Sequence, residues 1–419
     1  MHLQAIVIGA GIRGHSYADF ALQHPDEMKI VAVAEPENAR RRHFAAKYHL
    51  SEKQCFRSWA EIAAGEKLAD VALNCTMDAM HVPSTLALMS RGYDVLLEKP
   101  IAPTLTDTIA LTRAAEKAGR LLQICHVLRY APFWETLRHI VQSGRLGDVI
   151  SVDHRENLVF WHMAHSYVRG NWRATDTSGP MILTKCCHDF DMLHWILGAP
   201  VVWLNSFGEL THFRPEQAPP GATARCLDDC PAADSCKFYA PRLYAQSIDD
   251  WPWNAVTFTP SIDARLEALR DGPYGRCVYT CDNDVVDHQT VNMQLSTGTT
   301  VTLTMNGHGN EECRTMRYDG TKATLYGRFS ARGHAIKIVD HLAGTSEAIP
   351  VAARDSSAHG GGDFGVVRSF LSAVQGRPAP HLTTVEESLE SHILAFAAEE
   401  ARRTHQVIYL PEFRAAAQG

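Results

Sequence analysis

Short apolar runs alternate with amphipathic segments along the first third of the chain. The apolar runs predict strands over residues 3–8, 30–34, 71–74, 94–97 and 121–124. The amphipathic segments predict helices over residues 14–23, 38–48, 84–91 and 106–118. Strands and helices that alternate in this way form a parallel sheet with right-handed crossovers. We therefore predict a doubly wound α/β domain over residues 1–127.

The pattern changes after about residue 130, where strand signals alternate with period two. Residues 291–295 and 301–305 flank a Ser-Thr-Gly-Thr turn and predict a hairpin with one apolar face. Residues 314–318 and 323–326 flank Asp319-Gly320 and predict a second hairpin. We therefore predict an α+β domain over residues 128–419, with an open-faced, mostly antiparallel sheet and helices on one face.

Two segments depart from these patterns. Residues 209–275 are rich in Pro, Gly, Asp and Cys and carry no long periodic element, which is typical of an inserted functional segment or lid. Residues 383–405 begin with two threonines followed by two glutamates, a helix N-terminal signal. They predict a long C-terminal helix.

Composition narrows the class of protein. The chain has 419 residues, of which 45% are hydrophobic and 21% charged, with a net charge of −7. This balance favours a globular protein of two domains and disfavours a nucleic-acid partner, which requires a basic surface. The apolar runs are too short to cross a membrane, and no signal peptide is visible. We expect a cytoplasmic protein whose eleven cysteines are thiols.

A glycine-rich turn follows the first predicted strand and opens the first predicted helix. Its glycines are Gly9, Gly11 and Gly14, with Ile12 and Arg13 between the last two. In a Rossmann domain the first glycine allows the tight turn, the second admits a pyrophosphate, and the third packs the helix on the strand. The helix N-terminus supplies free N–H groups to the phosphates. We predict that these five residues bind a dinucleotide.

Glu35 indicates which dinucleotide it is. It ends the second predicted strand about twenty residues beyond the turn, where an acid accepts hydrogen bonds from the ribose hydroxyls. Its charge would repel a 2′-phosphate, so NAD is favoured over NADP. Arg40, Arg41 and Arg42 follow and keep NADP open, unless they form an exposed helix face.

The segment Glu98-Lys99-Pro100, together with the glycine-rich turn, resembles the Gfo/Idh/MocA oxidoreductases. Residues 74–81 also resemble the loop on the nicotinamide side in that family, and the resemblance extends over essentially the whole chain. It implies a Rossmann domain, then an open-faced sheet domain that often mediates homo-oligomerisation. It also implies a C-terminal helix that packs back on the first domain. Sugars, polyols and their derivatives are the implied substrates.

The resemblance assigns roles around this motif. Lys99 is expected beside the nicotinamide and the substrate hydroxyl, where a cation can stabilise an alkoxide or take part in proton transfer. The bond before Pro100 is often cis in the family. Thr76, His81 and Glu98 are the other residues expected on the cofactor side.

A second family signature falls at residues 179–191. His188 and Asp191 match the family, whereas Thr184 stands where an aspartate is expected, and Lys185 adds a second cation. His188 is the expected general base, with its neutral form favoured by the lysines. On one helix 184, 188 and 191 would share a face, so that Asp191 could orient the His188 ring or bond to backbone. Lys185 and Tyr167 are further catalytic candidates.

Polar and aromatic residues concentrate at the domain junction and after it. Flat rings stack on sugars, and Arg and His bind hydroxyl or acidic groups. The candidate substrate residues are His126, Arg129, Arg155, Trp161, His162, His165, Arg169, Trp172, Arg173 and His188. The arginines 155, 169 and 173 would also suit an anionic group on the sugar. Alternatives are a wet subunit interface, or a metal bound by His154, His162 and His165, whose spacing is unusual for zinc.

Four cysteines lie in or just after the irregular segment: Cys226, Cys230, Cys236 and Cys277. Thiols in a loop-rich segment can replace a missing core by binding structural zinc. Free thiols and an iron–sulfur cluster are the alternatives.

Three functions remain open at this stage. The first is a sugar or polyol dehydrogenase in which His188 takes a hydroxyl proton, Lys99 steadies the oxygen, and hydride goes to NAD. The second is a glycosidase that keeps its NAD, oxidises C3 transiently, eliminates the aglycone and returns the hydride; it needs a further base, for which His126, His162, His165, Tyr167 and Lys185 are candidates. The third is a nucleotide-sensing regulator on the same fold.

Overall fold

The computed structural model describes residues 2–418 and begins with a six-stranded parallel sheet in the order β3-β2-β1-β4-β5-β6. The strands are β1 Leu3–Ile8, β2 Met28–Ala34, β3 Cys55–Phe56, β4 Val71–Asn74, β5 Asp94–Leu97 and β6 Leu122–Ile124. All five predicted strands are confirmed. The two-residue β3 was not predicted, because so short a run carries no periodic signal.

Five helices cover this sheet: α1 Ile12–Gln23, α2 Asn38–Lys47, α3 Trp59–Ala64, α4 His81–Ser90 and α5 Leu105–Ala118. Local sequence sets their ends. The Thr104 hydroxyl accepts the N–H of Asp107 at the start of α5, and Gly119 ends that helix with φ +60°. Apolar side chains are buried on both faces of the sheet, as the continuous apolar strands predict.

A nine-stranded mixed sheet follows, in the order β14-β13-β12-β11-β7-β10-β9-β8-β15. Its strands are β7 Val149–Val159, β8 Val201–Glu209, β9 His288–Leu295, β10 Thr300–Gly309, β11 Cys313–Gly320, β12 Ala323–Ser330, β13 Ala335–Asp340, β14 Ser346–Ile349 and β15 Ile408–Tyr409. Only the β7–β10 pair in this sheet is parallel. Both predicted hairpins are confirmed, as β9–β10 and β11–β12.

The helices of the second half are mostly short. They are α6 Pro132–Gln142, α7 Phe160–His162, α8 Thr175–Ser178, α9 Met181–Thr184, α10 Cys187–Leu197, α11 Ala240–Tyr244, α12 Trp253–Val256, α13 Ile262–Asp271, α14 Ala358–Val374, α15 Val385–Thr404 and α16 Leu410–Gln418. A π-helix spans Met163–Arg169, and 3₁₀ turns span Glu52–Gln54, Asp78–Met80, Val127–Tyr130, Pro215–Gln217 and Pro273–Gly275. No helix in residues 2–418 is both long and apolar enough to cross a membrane.

The two faces of the second sheet differ. Along β7, His154 and Glu156 are buried beneath the helices, whereas Arg155 is exposed on the opposite face. Side chains of that open face include Trp203 and Phe207, which are 44% and 60% exposed. The period of two along a strand therefore carries Arg155 away from the helix-covered face, and its predicted place in the substrate site is wrong.

The C-terminal helix α15 lies against both halves of the chain. Just before it, the Thr383 hydroxyl donates to the Ile124 carbonyl at 2.6 Å, and the Ile124 N–H donates to the Thr383 carbonyl at 2.7 Å. Further along, Nε2 of His392 accepts the N–H of Ile101 at 2.9 Å. The helix also packs on α10 and β8. It therefore fixes the first sheet relative to the second.

Candidate active site

Residues predicted to bind the cofactor, and one predicted to bind the substrate, gather at the carboxyl edge of the parallel sheet. Gly9 follows β1, Glu35 follows β2, Thr76 follows β4, Lys99 follows β5 and His126 follows β6. In doubly wound sheets this edge is where ligands bind. One crevice thus receives a side chain or turn from almost every strand of the sheet.

The glycine-rich turn has the geometry of a dinucleotide cradle. Gly9 has φ +90°, and a Cβ there would lie 2.4 Å from the Cys75 carbonyl oxygen. A Cβ on Gly14 would lie 2.1 Å from the Gly9 oxygen, whereas a Cβ on Gly11 would meet nothing within 4 Å. The outer glycines are therefore required by packing, and the middle one leaves open space at the start of α1. This space fits a pyrophosphate at a helix N-terminus.

Glu35 is held against this turn. Its Oε2 accepts the N–H of Ala10 at 2.8 Å, and its Oε1 accepts the N–H of Glu37 at 3.0 Å. Arg41 donates to the Glu35 carbonyl at 2.5 Å, and Arg42 is exposed. A carboxylate fixed beside the turn fits the ribose hydroxyls of NAD.

Arg13 and Glu98 form an ion-pair network beneath the turn. Arg13 Nε donates to Glu98 Oε1 at 2.8 Å, and its two Nη atoms each donate to Asp363 at 2.9 Å. Tyr17 donates to Glu98 at 2.6 Å. Burial alone would raise the pKa of Glu98, but Arg13 and Lys99 hold it below its usual value. These side chains are committed to one another, and Ile12 beside them is 36% exposed.

Lys99 is positioned by its own turn and by the second half of the chain. The Lys99–Pro100 peptide is cis, as the resemblance implies. Lys99 Nζ donates to the Thr184 carbonyl at 2.7 Å. His81 supports the turn, since Nδ1 lies 2.7 Å from the Pro100 oxygen and Nε2 lies 3.1 Å from the Thr76 oxygen. Thr76 and His81 therefore join the two loops around Lys99.

The Lys99 contact also explains a break in the chain. Helix α9 ends at Thr184, and α10 begins at Cys187. The Thr184 carbonyl, which would continue the helix by accepting from the N–H of His188, accepts from Lys99. Thr184, His188 and Asp191 therefore do not share one continuous helix, and that prediction is wrong.

His188 is a buried neutral imidazole beside Lys99. Its side chain is 7% exposed, and its Nδ1 has no hydrogen-bond partner among residues 2–418. Burial lowers the pKa of His188 well below its usual value, and Lys99, His126 and Arg314 lower it further. The ring can therefore accept a proton near neutral pH through Nε2, the nitrogen that is not sealed in the interior.

Asp191 does not orient the His188 ring. Its carboxylate receives two hydrogen bonds from Arg129, Nε to Oδ2 at 2.9 Å and Nη2 to Oδ1 at 2.6 Å. Both predicted roles of Asp191, orienting the ring or bonding to backbone, are replaced by this pair. Arg129 is only 2% exposed, so its guanidinium is committed to Asp191 instead of facing a substrate.

His126 stands behind His188 in the interior. Its ring centroid lies 5.6 Å from that of His188 and 5.7 Å from that of His392. Burial lowers the pKa of His126 to about 4, and the residue is fully buried. It therefore supports the His188 ring and has no surface of its own for a substrate.

Lys185 is a fixed cation. Its Nζ lies 3.0 Å from Oε1 of Glu312 and 3.3 Å from Oε1 of Glu156. Burial lowers the pKa of Lys185, but the two carboxylates outweigh burial and raise it above its usual value. Burial also raises the pKa of Tyr167. Both groups therefore stay protonated, and neither can be the base that the glycosidase hypothesis needs.

An aromatic wall lies next to this cation. Trp251, from the irregular segment, packs on Trp161, His162 and His165 with ring centroids 5.3, 4.7 and 5.4 Å apart. His162 Nδ1 lies 3.1 Å from Glu312 Oε1. Because this glutamate also bonds Lys185, the wall joins the polar groups of the site and offers flat faces to a sugar ring.

The three arginines expected to bind an anion do not converge. Arg169 is fully buried and donates to the carbonyls of Arg276 and Phe238 at 2.7 and 2.8 Å. Arg173 pairs with Asp282 at 2.8 and 3.0 Å, while Trp172 donates to Asp78 at 2.9 Å. With Arg155 on the opposite sheet face, the predicted guanidinium cluster is wrong.

The cysteines of the irregular segment come together. Cys226, Cys230, Cys236 and Cys277 line one cavity of about 10 Å³ with Arg169, although the first and the last lie 51 positions apart in the sequence. All eleven cysteines are free thiols, as expected. Within residues 2–418, no three His, Cys, Asp or Glu side chains stand in ligating positions around one point, which also applies to the proposed histidine site.

Sequence reasoning missed three site residues. Glu312 and Trp251 lie in loops without periodicity, so nothing local marks them. His359 carried a signal, because it precedes three glycines and Asp363 at the start of a predictable helix. Its Nδ1 lies 2.8 Å from Asp363 Oδ1, and its ring centroid lies 6.3 Å from that of His188.

The fold and the crevice together define the class of protein. The chain has a Rossmann domain, and a lysine and a neutral histidine lie beside its dinucleotide cradle. This is the arrangement of an NAD-binding oxidoreductase. Within that class, the chain belongs to the Gfo/Idh/MocA family. It matches that oxidoreductase family's NAD-binding Rossmann fold over residues 3–126 and its C-terminal alpha/beta domain over residues 138–408.

Individual relatives are more distant. Inositol 2-dehydrogenase 4 of Saccharopolyspora erythraea is 27% identical over 200 residues, 48% of this chain and 55% of that protein. The 1,5-anhydro-D-fructose reductase of Ensifer adhaerens is 33% identical over 141 residues, 33% of this chain and 40% of that protein. The chain thus spans about half the length of the curated relatives it matches, or less.

A solved structure extends the likeness to the whole fold. The oxidoreductase of Agrobacterium radiobacter, solved with NAD⁺, L-tartaric acid and magnesium, superposes with a TM-score of 0.71 at 13% identity. The match covers 98% of this chain and 99% of that one. Both domains and their connection are therefore common to the two proteins.

Proposed function

We propose that this protein is an NAD-dependent oxidoreductase that oxidises a secondary hydroxyl of a sugar, polyol or sugar derivative. The observation that carries the proposal is the neutral His188 imidazole beside the Lys99 ammonium at the edge of the dinucleotide cradle. NAD, when bound, supplies the hydride acceptor. Gly11 and Glu35 would hold its pyrophosphate and ribose.

The proton chemistry belongs to two side chains. His188 Nε2 takes the hydroxyl proton, because its lowered pKa keeps the ring unprotonated. Lys99 donates one N–H to the Thr184 carbonyl, so two N–H groups remain to stabilise the developing alkoxide. Lys185 stays charged between its carboxylates and contributes a fixed positive potential.

The lining favours a neutral ring with hydroxyl groups. The wall of Trp161 and Trp251 can stack on a sugar face, while Glu312 and His162 can bond hydroxyls. The arginines that were predicted to bind an anionic group are engaged elsewhere. The hypothesis of an anionic sugar substrate therefore has no support from them. Relatives named for inositol and 1,5-anhydro-D-fructose make cyclic polyols and anhydro sugars the first candidates.

One incubation separates this function from its rivals. Purified protein with NAD is given a panel of cyclic polyols, sugars, anhydro sugars and aryl glycosides. We expect NADH to accumulate with a free polyol or sugar, and Lys99→Ala to lower kcat by about 100-fold or more. Aglycone release without net NADH would favour the NAD-retaining glycosidase, which the family comparison makes the weaker candidate. NAD binding without turnover of any compound would favour the regulator.

We also propose one structural zinc ion at the four thiols that line this cavity. The thiols would close onto the metal when it binds, since no three of them stand in ligating positions within residues 2–418. Arg169 gives the physical reason. Its side chain is fully buried, and its Nη1 has no hydrogen-bond partner among residues 2–418. Its Nη2 lies 3.6 Å from Cys226 Sγ. A buried charge needs a counter-charge, and zinc held by four thiolates is a net anion. The cavity has room for about one atom-sized occupant rather than an iron–sulfur cluster.

Metal analysis of the purified protein tests the zinc proposal without any activity assay. We expect about one zinc per chain, lost in Cys230→Ser and retained in Cys55→Ser, which changes a thiol outside the cavity. A content below about a tenth of an equivalent, or iron in place of zinc, would contradict it.

Location and assembly complete the proposal. We infer a cytoplasmic protein, because its thiols are unpaired.

We infer a homo-oligomer formed through the open face of the second sheet, where Trp203, Phe207 and Tyr326 are exposed. Light scattering should show more than one chain per particle, and fewer for Phe207→Asp; a monomeric wild type would contradict the inference.

A further inference from the structure

His359 holds an unusual backbone conformation next to the proposed base. It has φ +55°, in the left-handed region that glycine favours, and Gly360 and Gly361 after it are also left-handed. Non-glycine residues held in this way cluster at functional sites. The third glycine shows how closely the segment is packed. A Cβ on Gly362 would lie 2.2 Å from the Val127 oxygen, so the start of α14 lies directly against the domain junction.

The His359 ring is oriented by a carboxylate. Burial alone would raise the pKa of Asp363, but Arg13 and His359 hold it below its usual value. The carboxylate is therefore ionised and can only accept, so Nδ1 of His359 donates across the 2.8 Å contact. This leaves Nε2 as the nitrogen that can accept a proton.

The neighbours of His188 leave few routes for a proton. Lys99 and Arg314 are cations, and His126 is sealed in the interior with its pKa lowered to about 4 by burial. The His359 side chain is 35% exposed, and its ring centroid lies 6.3 Å from that of His188. One water or substrate hydroxyl between the rings spans such a gap. His359 thus lies close to His188 and is also exposed to solvent.

We propose that His359 carries the proton of substrate oxidation from His188 to solvent, with Asp363 as its positioning partner. The inference rests on the proposed function. Oxidation breaks the O–H bond and the C–H bond; the electron pair of the C–H bond leaves as hydride to NAD, and the proton goes to His188. The bridging water or hydroxyl then accepts that proton and passes its own to Nε2 of His359, from which bulk water takes it. Each turnover thus releases one ketone, one NADH and one proton.

The test replaces His359 by glycine, which removes the imidazole and suits the left-handed backbone. We expect kcat for the best panel substrate to fall about tenfold or more, KM to change little, and added imidazole to restore much of kcat, since the position is open to solvent. His405→Gly is the matched control. His405 also has φ +56° and is exposed, but it ends α15 away from the crevice, so its variant should keep the wild-type kcat.

Further outcomes separate the possible failures. Wild-type kcat in His359→Gly overturns the relay, and so does a loss that imidazole does not restore in protein whose melting temperature matches wild type. If His359→Gly fails to fold, His359→Asn tolerates the same backbone without a base and is measured instead, with the same expectation. A wild type that forms no NADH with any panel compound overturns the proposed function, and this inference falls with it.

Discussion

At the scale of single residues, the surroundings of His188 set its protonation. Burial and then Lys99 lower its pKa, so the ring is neutral over the range in which an ordinary histidine begins to protonate. Activity that requires the neutral ring is present above the His188 pKa and is lost as the pH falls through it. The protein should therefore tolerate mild acid better than a solvent-exposed catalytic histidine would.

The first prediction concerns this titration. The acid limb of kcat/KM in wild type should have its midpoint below about pH 6.5. Lys99→Met removes a cation beside His188, so the residual activity should show an acid limb at higher pH. Steady-state rates across pH measure both midpoints. A wild-type midpoint at or above that of free histidine, or no shift in the variant, would count against the assignment of His188.

The second prediction concerns Glu35 and cofactor choice. Glu35→Ser removes the carboxylate that repels a 2′-phosphate, so the ratio of kcat/KM for NADP to that for NAD should rise about tenfold or more. Glu116→Ser, on the exposed side of α5, changes the net charge equally and should leave the ratio unchanged. An unaltered ratio in Glu35→Ser would show that another group selects the cofactor.

Single residues in local motifs were predictable, and their partners were not. Gly9, Glu35, Lys99 and His188 follow from short patterns, because neighbouring residues place each one at an element end. Lys185 was expected to act in catalysis, but the structure pairs it with Glu312. That partner could not be foreseen, because it lies 127 positions away in the sequence. No local sequence pattern predicts such a pairing, because the packing of the second sheet brings the two residues together.

At the scale of elements, the strand–turn–helix of the cradle does two separable things. Gly14 lets α1 approach the strand, and Gly11 leaves space at the helix start. Packing and ligand binding therefore depend on different glycines, which substitution can distinguish.

The third prediction uses that difference. Gly11→Ala adds a methyl group where nothing lies within 4 Å, so folding should be unaffected, while the dissociation constant for NAD rises about tenfold or more because the methyl occupies the pyrophosphate approach. Gly14→Ala forces a Cβ onto backbone and should lower the free energy of unfolding by about 1–3 kcal/mol. Calorimetry for binding and denaturant titration for stability separate the two. Equal NAD affinity in Gly11→Ala and wild type would remove the cradle from the account.

Elements were predictable where burial alone decides them. The parallel strands read as continuous apolar runs, and both hairpins read as alternating runs around a turn. The break between α9 and α10 was not predictable, since it arises where the Thr184 carbonyl turns to Lys99. The two faces of β7 were predictable in principle from the alternation of side chains along a strand. The prediction of an arginine cluster did not take this alternation into account.

At the scale of the whole molecule, the domains are joined through buried histidines. His126 follows the last parallel strand, and His392 lies on α15, which contacts both sheets. Burial lowers the pKa of each, to about 4 for His126 and about 3 for His392. The unfolded chain therefore binds more protons than the folded one below about pH 6.5, and acid destabilises the fold.

The fourth prediction concerns how the free energy of unfolding changes with pH. Each such histidine should lower the free energy of unfolding by up to about 1.4 kcal/mol per pH unit as the pH falls from about 6.5 towards 4. Urea titrations at about pH 7.5 and pH 5.5 measure the change. His392→Gln removes one of these groups and should make the pH dependence shallower. A dependence as steep as that of wild type would mean that carboxylates, not this histidine, dominate it.

The central claim is that a hydride leaves a substrate carbon for NAD within this crevice. Mass spectrometry of the nucleotide tests it most directly, after incubation with the best panel substrate carrying deuterium on the oxidised carbon. The account predicts NADH that contains one deuterium per ketone formed, and a rate of labelled NADH formation about 100-fold or more lower with Lys99→Ala or His188→Ala. Product that forms while the deuterium stays on the sugar, or unlabelled nucleotide from wild type, would contradict it.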